Sequence, residues 1–300
     1  MICRERIILL ATHVVRDIEY SAEKGENMLR SQIKLMLSKP NFWISLFLVS
    51  FYAYGSYFLH IYDNYGKDIS VIYDWRELVC TSTDHALFKY FQLLFPFIVI
   101  FPFSFSYYED RERKSIGFWM RRGTRRQYFI SKAIACFLGS FLCVWVPFMV
   151  NLFLVKTTFP SSGITGNGTM YSHWITQNIY NETQRTGYIP FVELYVLYPV
   201  IYHCVLIVLI SGLAGLFGVL AYVLSYYIKN NKLKIFLPVY ISMWLCNLFS
   251  GYASVDTDLL TYVTLENSAN RSYMFYCGFC VCIMVTIIVF IYKKTQKDVV

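Results

Sequence analysis

Long apolar runs alternate with short charged ones along this 300-residue chain. Six apolar blocks stand out: Phe42–Tyr62, Leu87–Tyr107, Tyr128–Val155, Val192–Ile228, Leu233–Gly251 and Ser272–Tyr292. Each approaches or exceeds the ~20 residues that an α-helix needs to cross a bilayer. None shows the short alternating segments of a closed barrel. The pattern predicts an all-α, polytopic membrane protein with six transmembrane helices over residues 42–292 and a short tail at 293–300. The fourth block is long enough to be kinked, strongly tilted or extended beyond the bilayer. Pro96 and Pro102 are expected to kink the second span, and Pro147 to interrupt the third.

Composition sharpens this reading. Charged residues make up 15% of the chain and the mean hydropathy is +0.43, where a soluble domain averages about 25% charged. With six spans and both termini cytoplasmic, the inside segments hold 21 of the 27 Lys and Arg residues. The outside segments hold Asp63, Asp68, Asp74, Glu77, Asp84, Asp256, Asp258 and Glu266. That asymmetry predicts a multi-pass protein of the cell membrane with its basic loops inside. The net charge of +8 is then a topology signal, and no nucleic-acid partner is expected. Of the nine cysteines only Cys80 falls in an outside loop, so no disulfide scaffold is expected. Three glycosylation-type triplets begin at Asn167, Asn181 and Asn270, a pattern common by chance.

Residues 1–27 carry no signal-peptide core or cleavage site. They read either as a cytoplasmic extension or as sequence lying upstream of a start at Met28. Lys24-Gly25-Glu26-Asn27 can be encoded by a ribosome-binding sequence. Residues 28–41 predict an amphipathic interfacial helix, with Leu29, Ile33, Met36 and Leu37 on one face and Arg30, Lys34 and Lys39 on the others, lying against membrane lipid. Pro40 ends it before the first span.

The chain lacks the common catalytic and nucleotide-binding signatures. No GxxxxGK[ST], HExxH or GxSxG pattern occurs, so the chain is not expected to be an enzyme or to cradle a nucleotide by itself. The five histidines are scattered, and no metal site or bound cofactor is expected. Cys277, Cys280 and Cys282 lie in an apolar span, where thiols pack like small apolar residues. His203 is an ionisable group within the fourth span and a candidate intramembrane polar site; a hydrogen bond to a neighbouring helix is its simplest role. Ser211, Gly212, Ala214, Gly215 and Gly218 form a stripe of small residues that would let helices approach closely in lipid. Spans this poor in polar groups suit an amphipathic substrate better than an ion.

The exception to the apolar pattern is Tyr108–Lys132, YEDRERKSIGFWMRRGTRRQYFISK. It carries Arg111, Arg113, Lys114, Arg121, Arg122, Arg125, Arg126 and Lys132, with Glu109, Asp110 and Glu112 at its start. Ile116, Phe118, Trp119 and Met120 lie between the charges, which a solvated linker would not need. It predicts a short amphipathic helix on the cytoplasmic face, its acids at the N-terminus and its arginines at the end. As a purely topogenic loop it would instead bind anionic headgroups.

A basic amphipathic start, six spans and this stretch between spans two and three resemble the exporter-type permease subunits of ATP-binding cassette (ABC) transporters, the type-2 membrane family. The matching positions are Glu112, Gly117, Thr124, Arg125 and Lys132; Arg121-Arg122-Gly123 stands where the family usually has an apolar Leu-Pro. The resemblance implies a coupling helix seated on a separate ATPase subunit that binds the ATP, and a second permease copy or homologue. Phe118 and Trp119 would anchor in a pocket, while Arg121, Arg122 and Arg125 meet acidic groups. The cargo would be an amphipathic peptide, lipid or drug, as in bacteriocin export. The alternative is a membrane immunity protein that binds a toxin at its outside loops without an ATPase.

Overall fold

The computed structural model describes residues 27–68, 71–81, 86–161, 192–228, 232–250, 260 and 273–295. The expected upstream extension, the large loop at 162–191 and most of the last loop lie outside the described residues, as do residues 296–300. The elements among the described residues are all helical. In chain order they are α1 (27–38), α2 (Pro40–Asn64), α3 (Ala86–Ile100), α4 (Ser106–Glu112), α5 (Ile116–Arg122) and α6 (Arg125–Thr158). Then come α7 (Val192–Leu197), α8 (Pro199–Tyr227), a 3-10 turn at Lys232–Ile235, α9 (Phe236–Ser250) and α10 (Tyr273–Thr295).

Helices α2, α6 and α8 are long and apolar enough to cross a membrane. The 34 residues of α6 extend about 51 Å at 1.5 Å per residue. Shorter apolar helices run over Leu87–Ile100, Leu233–Trp244 and Cys277–Lys293. The outward face of α2 presents Phe47, Phe51 and Phe58 at 68%, 69% and 65% exposure. In water such a face would drive aggregation; against acyl chains it is at home.

Two apolar blocks prove not to be single helices. The second breaks after α3, because Pro102 has no N–H for the carbonyl four residues back and disfavours helix at Phe101. Residues 101–105 turn, and the chain restarts as α4. The fourth block breaks at Tyr198 (φ −136°, ψ 63°), the residue before Pro199. The expected interruption at Pro147 is absent: α6 runs through it. One missing bond inside a 34-residue helix is carried by the flanking turns.

The core is built on α6. One side of it meets α8, where Gly215 faces the Phe137 ring and Gly218 faces Ser140. A Cβ on Gly215 would lie 2.6 Å from that ring, so glycine is what lets the helices approach. Ser104 Oγ donates to the Gly218 carbonyl at 2.8 Å and Ser140 Oγ to the Val99 carbonyl at 2.5 Å, drawing the α3 side into the same seam. Of the predicted small-residue stripe, Ser211 donates to Ile207 of its own helix at 2.6 Å. Ala214 is buried, and Gly212 faces open space.

The phase of α1 differs from the expected one. Met28, Gln32 and Met36, one turn apart, form its buried face, whereas Leu37 is exposed. Met36 lies over Gly139 of α6, where a Cβ would meet its sulfur at 2.7 Å. At the far end of α6, residues 74–81 fold into the bundle rather than forming a loose loop: Asp74, Trp75, Leu78, Val79, Cys80 and Thr81 are buried. Asn151 holds them, accepting from the Cys80 N–H at 3.0 Å and donating to the Ala53 carbonyl at 2.7 Å. The Tyr52 hydroxyl donates to the Cys80 carbonyl at 2.8 Å.

Candidate functional site

The stretch predicted as one amphipathic helix is two short helices and the start of a third. Helix α4 ends at Glu112, the chain turns through Arg113–Ser115, and α5 begins at Ile116. Lys114 makes the turn with φ 54°, a left-handed conformation that is costly for a residue with a Cβ. The acids therefore do not sit at the N-terminus of α5, whose first turn has none; they belong to α4. A second corner at Gly123 leads into α6. Thr124 caps α6: its hydroxyl accepts from the Gln127 N–H at 3.2 Å, while Gln127 Oε1 accepts from the Thr124 N–H at 3.0 Å, a reciprocal capping box. Met28 of α1 packs on this corner against Gly123, where a Cβ would collide with its methyl.

Helix α4 is tied down on three sides. Consecutive helical residues point about 100° apart, so Glu109, Asp110 and Arg111 reach three different neighbours. Glu109 pairs with Lys39, whose ammonium also lies over the Phe103 ring at 5.1 Å. Arg111 donates to the Ile228 carbonyl at 2.7 Å and the Tyr226 carbonyl at 3.4 Å. It thereby satisfies the last carbonyls of α8, where a cation also suits the helix dipole.

Asp110 reaches into the bundle and pairs with Lys132 of α6. The Lys132 side chain is fully buried and also donates to the Ser106 carbonyl at 2.9 Å. Asp110 Oδ2 accepts from the Tyr128 hydroxyl at 2.8 Å, and Oδ1 from the Ser115 hydroxyl at 3.0 Å. Tyr128 and Lys132 are one turn apart on α6, so both aim at the same carboxylate. Each carboxylate oxygen is thus engaged, the condition under which a buried ion pair is tolerable.

The predicted residues divide around this lock. Lys132 lies at its centre. Glu112, the acid matched by spacing, is exposed, and its carboxylate at the Tyr108 hydroxyl pushes that phenol above its ordinary range. Asp110 and Glu109, expected with Glu112 at the N-terminus of the amphipathic helix, instead make the ion pairs. Their signal was position: they come directly after the apolar block, still within reach of its neighbours. Gly117 faces open space, Phe118 is 51% exposed, and Arg121 is exposed. Trp119 turns partly inward against the core, its ring edge-on to that of Phe118 with centroids 5.7 Å apart. The Arg125 guanidinium lies over Phe129 at 5.8 Å. The side chain of Arg122 lies outside the described residues.

His203 is not part of this site. It lies fully buried beside Trp75, with ring centroids 5.7 Å apart, and against Tyr202 and Tyr195 at 5.6 and 6.3 Å. Neither ring nitrogen has a hydrogen-bond partner among the described residues, so the expected bond to a neighbouring helix gives way to an aromatic enclosure. No family model, no curated protein and no solved structure matches this chain.

Proposed function

We propose that this chain is the membrane permease subunit of an ATP-driven exporter of the ABC type. It docks a separate ATPase through α5, pairs with a second permease copy or homologue and moves an amphipathic substrate across the cell membrane. In this reading the three long helices and the three shorter apolar ones are six spans, with both termini and α5 on the cytoplasmic side. ATP is bound by the partner, and nucleotide-driven closure of the ATPases moves α5.

One observation carries the reading: α5 keeps an exposed outer face while its inner side is locked to α6. Phe118 is half exposed beside Gly117, which has no neighbour where a Cβ would stand. A glycine inside a helix costs about 0.5–1 kcal/mol relative to alanine, and nothing among the described residues requires it there. Close approach by another protein supplies a reason, with exposed Arg121 and Arg126 flanking an apolar contact. Behind it, the Ser115–Asp110–Lys132 chain joins α5 to α6.

The test is purification of the tagged chain from its native host. An ATPase is expected to co-purify, and Gly117→Leu and Phe118→Ala are each expected to reduce its recovery at least tenfold while membrane insertion is unchanged. Trp119→Ala and Arg125→Glu should also release it, with some loss of stability because both side chains are part-buried. Absence of any ATPase, or undiminished recovery with Gly117→Leu and Phe118→Ala, refutes the docking role.

A further inference from the structure

A cleft of about 210 Å³ opens between α3 and α9, far from α5. Leu93 and Pro96 form one wall, Met243 and Trp244 the other, and Lys89 and Gln92 line its polar part. Tyr240 also lines it, its ring 5.8 Å from that of Phe97 between centroids. Lys89 is exposed and is the one cation among the residues that line the cleft.

We propose that this cleft is a binding site for an anionic phospholipid, with the phosphate on Lys89 and the upper part of one acyl chain between Leu93 and Trp244. Size, depth and charge lead to this occupant. The volume equals about seven waters at ~30 Å³ each. That is below the ~300 Å³ at which pockets begin to enclose drug-sized ligands, and too small for a peptide cargo, but adequate for a short length of one chain. Depth follows from the sequence: no charged residue lies between Lys89 and Glu109, so Lys89 is the last charge before an apolar run and belongs at headgroup level. Charge completes the fit: Lys89 is a cation exposed at the cleft, and the first described turn of α3 holds no acid. Both features favour an anionic headgroup over a zwitterionic one, whereas Trp244, 53% exposed, offers an amphipathic ring to the glycerol region.

The experiment is native mass spectrometry of the full chain released from vesicles of equimolar phosphatidylglycerol and phosphatidylcholine. The wild-type chain is expected to retain phosphatidylglycerol about fivefold over phosphatidylcholine, the weight of one basic residue at a membrane surface. Lys89→Gln is expected to lose one retained phosphatidylglycerol and Lys89→Arg to keep it. Lys114→Gln, at the basic turn, is expected to leave it in place. Leu93→Trp fills the cleft and is expected to remove that lipid without altering the charge. Retention by Lys89→Gln at wild-type occupancy, or no headgroup preference in the wild type, overturns the proposal. Should Leu93→Trp fail to fold, the comparison of glutamine with arginine at position 89 still decides it.

Discussion

Replacing Asp110 by asparagine removes the counter-charge of a lysine that has no access to water. Lys132 would keep the Ser106 carbonyl, 2.9 Å away, the Tyr128 ring face at 5.1 Å and a neutral amide oxygen, but no counter-charge. Breaking a buried pair from one side costs about 3–5 kcal/mol, and the thin compensation here sets the expectation for Asp110→Asn at about 4 kcal/mol. The reverse change is milder. Lys132→Met leaves Asp110 with two hydroxyl donors, Tyr128 at 2.8 Å and Ser115 at 3.0 Å, and a side chain that is 11% exposed. Its expected cost is about 2–3 kcal/mol. The double variant, with neither charge, should recover to within about 1–2 kcal/mol of the wild type, because apolar or neutral replacements of a whole buried pair are tolerated. The assay is reversible unfolding in mixed micelles of dodecylmaltoside and dodecyl sulfate, followed by far-ultraviolet circular dichroism. Two results would refute the reasoning. One is additivity of the single changes to within about 0.5 kcal/mol. The other is Lys132→Met proving the more damaging.

The turn and the far end of α6 give two further expectations. Lys114→Val should lower stability by about 1–2 kcal/mol and Lys114→Gly should match or exceed the wild type, since φ 54° excludes β-branched residues and suits glycine; the same unfolding assay reads both. Asn151→Leu strips partners from the Cys80 N–H and the Ala53 carbonyl, about 1–3 kcal/mol for each buried group, and should speed maleimide labelling of Cys80 at least tenfold by local opening. Burial holds the Cys80 thiol well above its usual range. Folded Cys80 therefore keeps its proton above pH ~8.5, where the unfolded thiol loses it, so its contribution to stability falls as pH rises through that value. Native labelling is expected to stay slow to pH 9, and rapid native labelling would sink the expectation.

The helical class was legible because a long apolar run bound for lipid has few options, and three of the helices are long and apolar enough to cross a membrane. A break was legible at Pro102, and the fourth block's kink from its length although Pro199 was not singled out as its cause; Pro147 was misleading, because α6 runs through it. Which apolar face packs was not legible. Along α1 the pattern picks Leu29, Ile33, Met36 and Leu37, yet Met28, Gln32 and Met36 are buried, because at a membrane interface an apolar residue is as content against lipid as against protein. Nor was the partner of Lys132. Asp110 lies 22 positions away, and only the turn at residues 101–105, which sets α4 against α6, brings them together. Glu112 was favoured by its match to the permease pattern, a one-dimensional criterion. The choice between Asp110 and Glu112 is made by the 100° step of a helix, which turns Asp110 inward and Glu112 out. The segment at 74–81 was read as part of an outside loop because it lies between two apolar blocks, yet Asp74 is buried there, accepting from the Arg76 backbone N–H at 3.0 Å.

The position of the lock explains why it is ionic. Helix α5 has only seven residues, too few to hold itself by helix propensity, and its exposed face carries Phe118 rather than a packed seam. An apolar contact would let it slide, since apolar surfaces are non-directional. A carboxylate with an ammonium and two hydroxyls around it fixes one register. That register is set against α6, whose other end holds Asn151 and, through it, the folded segment that ends at Thr81. A displacement applied at α5 thus enters a helix about 51 Å long with polar clamps near both ends. If α5 is where an ATPase pushes, α6 is the member that carries the motion across the bilayer. In that case the Asp110–Lys132 double variant should fold and dock yet leave ATP hydrolysis unconnected to cargo movement.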